Sequence, residues 1–115
     1  MGFWAQNEVK TSVGVTSGVW NHWVFTLDNT SGNYAFYLNG QPFGNGTGSF
    51  NIQSNALPLY LGAEFTGGSP DLYFKGAMDN LRIYNRALSS NEVAQLYAFD
   101  LGLSAFTQNL ANSLS

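Results

Sequence analysis

At 115 residues, with charged side chains at only 10% and a formal net charge of −3, the sequence suits one domain with a real core and little electrostatic reach. Its cations, Lys10, Lys75, Arg82 and Arg86, are scattered, which excludes the clustered basic face that displaces counterions from nucleic acid. The absence of cysteine excludes disulfides, thiolate nucleophiles and Cys-ligated zinc, and no apolar run reaches the ~18 residues of a membrane span.

The core material is aromatic, nine Phe, six Tyr and three Trp, and such rings suit strands. Val9, Thr11, Val13 and Val15 alternate with polar or small residues and predict a first strand. After the turn at Thr16-Ser17-Gly18, residues Trp20 to Leu27 predict a second, with Trp23, Phe25 and Leu27 on its core face. Asp28 to Asn33 is a polar hairpin loop, and Tyr34, Phe36 and Leu38 alternate beyond it. Asn39-Gly40 follows, a dipeptide whose residues both tolerate positive φ, as a tight hairpin requires.

Short strands are expected near Phe43 and from Phe50 to Ile52, then at Leu57 to Gly62, Leu72 to Phe74 and Met78 to Tyr84, with a loop at Thr66 to Pro70. N-terminal to the first strand no basic segment precedes an apolar stretch, so no signal peptide is visible. Ser89-Ser90-Asn91-Glu92 reads as a capping box, and Val93, Leu96 and Tyr97 continue it as a helix of about two turns. Leu103, Phe106, Leu110 and Leu114 suit a further helical face. These elements predict an all-β chain, an antiparallel sandwich or barrel with one short helix near the C-terminus, divided as a domain over 1–102 and a tail over 103–115.

The stretch Trp20-Asn21-His22-Trp23 through Asp28 resembles the "W-x-H-apolar" strand of laminin-G-like, concanavalin-A-like jelly rolls, which are similar to pentraxins and legume lectins. Tyr37-Leu38-Asn39-Gly40 resembles that family's hairpin, and Leu59-Tyr60-Leu61-Gly62 its "apolar-x-apolar-G" strand. Phe74 to Ser89 with Glu92 to Tyr97 resembles its closing segment, with Gly76, Asp79, Ser89 and Glu92 at motif positions. The resemblance implies a jelly-roll sandwich of which only the C-terminal portion has a counterpart here. It also implies a non-catalytic recognition module for glycan or protein ligands, at an extracellular, cell-surface or virion surface. An assembly subunit of a particle, filament or surface layer is the alternative. A jelly roll lacking strands further implies self-association, or a partner chain that completes the sandwich.

Candidate binding residues are the rim-loop groups Asp28, Asn29, Asn33, Glu64 and Asp71. Leu61-Gly62-Ala63-Glu64 resembles the pentraxin segment that leads into calcium ligands, so Glu64 and Asp71 are the calcium candidates. Thr66 stands where a further acid is expected, and a hard cation wants about six to eight oxygens, so no cofactor is required by this reading. His22, the one histidine, reads as a structural residue. Asp79 reads as a partly buried carboxylate taking loop amides, with calcium ligation the alternative. Trp4 and Trp20 are open to burial or sugar stacking, whereas Trp23 reads as core. Glycosidases flank the scissile bond with two carboxylates; no strand here carries a spaced acidic pair.

Overall fold

The computed structural model describes residues 2–5, 7–10, 14–50, 58–66 and 68–113. It divides into two compact units, Met1–Ile52 with Tyr84–Ser115, and Gln53–Ile83. The chain is built mainly from antiparallel strands followed by a helix.

In the first unit, β1 (Gly2–Ala5) pairs with β2 (Asn7–Lys10), Phe3 opposite Val9 and Trp4 opposite Glu8. The strand expected to reach Val15 gives strand pairing only to Lys10; Thr11 and Val13 lie outside the described residues, and Val15 is exposed in irregular chain. Strands β3 (Trp23–Leu27), β4 (Asn33–Leu38) and β5 (Gln41–Thr47) form an antiparallel three-stranded sheet in the order β3-β4-β5. The β4–β5 turn is the one that Asn39-Gly40 predicts: φ is 52° at Asn39 and 79° at Gly40, and Leu38 pairs with Gln41 across it. The β3–β4 loop closes through the Asp28 amide donating to the Asn33 carbonyl at 2.8 Å and the Gly32 amide donating to the Asp28 carbonyl at 2.7 Å.

The β4–β5 register slips between Phe36 and Tyr37, so Phe36 faces Gly44 while Tyr37 faces Pro42. Phe43 is the extra residue, and a bulge of this kind re-aims its side chain. Its ring lies 5.9 Å from Phe36 and 5.8 Å, edge-on, from Trp23. Pro42, which donates no amide, is tolerated at such an irregularity. Phe25 and Phe36 are register partners with centroids 4.9 Å apart, and Tyr34 bridges Phe36 to Phe50. Phe36, Tyr37 and Val93 are the buried apolar residues among those described. Trp23, expected in the core, is instead 37% exposed; it opens β3 at the end of the sheet, with the Phe43 ring edge-on to it.

Helix α1 spans Ser90–Ser113. It begins where the capping box puts it. The Glu92 amide donates to Ser89 Oγ at 3.2 Å, and the Ser89 amide donates to Glu92 Oε2 at 2.8 Å. Two turns and a separate tail were expected; the structure joins them into one 24-residue helix through Gly102. A nucleated helix gains one backbone bond for each residue added, and one glycine costs only about 1 kcal/mol.

In the second unit, β6 (Glu64–Thr66) and β7 (Ser69–Asp71) make a hairpin where a loop was expected, with Thr66 paired to Ser69. The strands expected at Leu57–Gly62, Leu72–Phe74 and Met78–Tyr84 are not formed among the described residues; 58–63 and 72–84 are irregular, and Leu57 lies outside the described set. Leu72 and Ile83 are 75% and 74% exposed. Alternation states which side chains share a face, but a strand forms only when another strand lies beside it, and none does so here among the described residues. Phe50 is likewise outside any strand, while Ile52 lies beyond the described residues.

Candidate functional site

The polar candidates fall into two groups, one in each unit. In the first unit, Asp28 opens the β3–β4 loop and turns its carboxylate inward on its own backbone. Oδ1 accepts the Thr30 amide at 2.9 Å and the Ser31 amide at 3.3 Å. These bonds, the Thr30 amide foremost, stabilise the charged form and hold the carboxyl below its ordinary value. Asn33 is also committed locally: its amide donates to Ser31 Oγ, and its Oδ1 accepts Thr47 Oγ1 at 2.9 Å. Asn29 is exposed on the same loop. Gly32 is required there, because its φ is 74° and a Cβ would collide with the Gly48 carbonyl.

In the second unit, Glu64 and Asp71 are direct register partners across the β6–β7 hairpin. Facing residues of an antiparallel pair carry their Cβ atoms about 4.5–5.5 Å apart, and like charges so placed repel. Glu64 is half-buried and Asp71 exposed. No cluster of three acidic or histidine side chains that could hold a metal occurs among the described residues. The two carboxylates provide only part of the six to eight oxygens that calcium takes.

The remaining motif residues form a third cluster, at the join of β3, the β4–β5 turn and α1. The His22 amide donates to Asn39 Oδ1 at 2.9 Å, the Asn39 amide donates to the His22 carbonyl at 2.8 Å, and Asn39 Nδ2 donates to Asn21 Oδ1 at 3.2 Å. The His22 ring lies 5.7 Å from Tyr97, and its Nε2 is 3.5 Å from Asp100 Oδ2. Tyr97 was read only as part of the helix stripe, and Asp100 was not singled out; the two stand about one helical turn apart on α1. Arg86 was missed as well. Its guanidinium donates to both Glu92 oxygens, at 2.9 and 2.7 Å, which with the Ser89 amide holds the Glu92 carboxyl down to about 2.

Gly62 takes φ 70°, and its carbonyl accepts the Phe74 amide at 2.7 Å. A Cβ on Gly76 would meet the Phe74 ring at 2.8 Å. Asp79 is exposed and accepts the amide of Asn80, at 2.7 Å, rather than lying partly buried. Trp20 is 70% exposed, and the Trp4 side chain lies outside the described residues.

Residues 1–94 match the family described as the concanavalin A-like lectin/glucanases superfamily. A solved structure of similar fold is the 2.1 Å crystal structure of an S-layer domain-containing protein (residues 221–444) from Clostridium thermocellum ATCC 27405, at 24% identity and a TM-score of 0.62. The match covers 79% of this chain and 45% of that one, so this chain spans less than half of that solved length. No curated protein matches the chain significantly.

Proposed function

The chain belongs to the concanavalin A-like lectin/glucanase superfamily, and from that premise we propose that it is a non-catalytic recognition module, binding a glycan or protein ligand through the loop and hairpin Ala63 to Asp71. The observation that carries this reading is the placement of Glu64 opposite Asp71. Two facing carboxylates set acceptor oxygens side by side, a pattern suited to a ligand's hydroxyls, a cation or a basic side chain. The pair stands on one small two-stranded hairpin with Asp71 exposed. A glycosidase instead sets its acid and its base on either side of the bond to be cleaved. The superfamily resemblance supports an extracellular or other surface location. It also supports a jelly-roll frame larger than the sheets described.

Calorimetric titration with calcium, then with a panel of glycans, tests the reading. Heat that Glu64→Ala abolishes supports it. Binding undiminished by that change removes Glu64 from the site, and release of reducing sugar would replace recognition with hydrolysis.

A structural role in assembly is the second reading. Its support is the exposed apolar series that includes Leu72, Leu81 and Ile83, together with the similar fold of an S-layer domain-containing protein. Light scattering separates the two: a stable monomer that binds glycans supports recognition, whereas a defined oligomer without glycan affinity supports assembly.

A further inference from the structure

We propose that His22 and Asp100 form an acid-strengthened latch that holds helix α1 against the entry to β3 and the Asn39–Gly40 turn. His22 Nε2 and Asp100 Oδ2 are 3.5 Å apart, with the two side chains only 19% and 14% exposed. The histidine is a rigid post, because Asn39 grips its backbone amide and its carbonyl together. The helix side is equally defined. Tyr97, one turn before Asp100, lies against both the imidazole and Gly40. Asp100 is itself only partly exposed on α1. Asp100 lies beyond the residues 1–94 that match the family.

Two titratable groups of α1, Asp100 and Tyr97, are set against the imidazole. The groups on the turn side, Asn39 and Asn21, are neutral amides. An imidazolium and a carboxylate at this distance attract, and partial burial weakens solvent screening. The attraction is present while His22 is protonated and Asp100 ionised. It is lost as pH rises through the histidine titration, and again in strong acid when Asp100 gains a proton. Mild acid therefore seats the helix, and mild alkali loosens it at Asp100.

Hydrogen exchange of the α1 amides, corrected for intrinsic rates, and thermal melting are to be measured in mild acid and mild alkali. The proteins are the unsubstituted chain, the near-isosteric D100N and H22Q. The expected result is protection near Tyr97 and Asp100 that falls about tenfold from acid to alkali, the scale of one charge-assisted contact. That difference disappears in D100N and H22Q. Equal protection at both pH values in the unsubstituted chain, or a difference that persists in D100N, would overturn the latch. Should H22Q fail to fold, D100N alone decides, with its melting curve as the check on folding.

Discussion

The ring of Tyr97 occupies the space that a side chain on Gly40 would need: a Cβ there would lie 2.9 Å from Tyr97 Cδ1. Gly40 is thus held twice, by its φ of 79° in the hairpin turn and by the helix packed over it. Gly18 has a similar φ, 82°, but nothing within 4 Å. Left-handed backbone costs a residue with a Cβ roughly 1–2 kcal/mol. Gly18→Ala is expected to lose about that much in urea unfolding. Gly40→Ala is expected to lose clearly more, and equal losses would show that the Tyr97 contact yields without cost.

Acid should loosen the start of α1. The folded Glu92 carboxyl sits at about 2 rather than 4.5, owing first to Arg86 and then to the Ser89 amide. A carboxyl lowered on folding adds stability that is fully present above its unfolded value and is lost as pH falls toward the folded one. Helical ellipticity is therefore expected to hold from neutral pH down to the ordinary carboxyl range and to decline below it. Glu92→Gln should flatten that decline, and an unchanged profile would show that other groups govern it.

Phe36 is 1% exposed and meets Phe25, Tyr34 and Phe43. Phe36→Ala should cost about 3–5 kcal/mol, a large part of the stability of an ordinary domain. Phe43→Ala, at a half-buried position, should cost less. Chemical denaturation of both variants checks the order.

Trp20, at 70% exposure, contributes little packing. Trp20→Ala is expected to shift stability by no more than about 0.5 kcal/mol. If its ring stacks on sugars, the same change should remove glycan-array signal while the melting temperature stays put. Retained signal would exclude Trp20 from the ligand surface.

Much of the first unit was legible in the residues. The Asn-Gly turn and the capping box were both readable, because each rests on contacts within about four positions. The alternation around Phe36 located β4 for the same reason. The second unit was less legible. Its apolar runs have strand composition, yet 72–84 are irregular, since composition does not supply a neighbouring strand. The polar stretch Thr66 to Pro70, in contrast, contains the turn of a hairpin because its flanks pair with each other.

The candidate site shows the same division. Glu64 and Asp71 were recognisable as loose acids on a loop; that they face each other follows from the β6–β7 register. His22 was recognisable as a lone histidine, and Asp100 came into view only when α1 was folded over the turn. The sequence by itself determined the local devices, the turn, the cap and the alternating faces, along with the family, because each is written in short runs of neighbouring residues. Only the tertiary structure decided that Trp23 stays half-exposed, that Tyr97 covers Gly40 and that Asp100 meets His22. Those outcomes depend on which distant segments come to lie together, and that is settled by packing the whole set of faces at once rather than by any one stretch of chain.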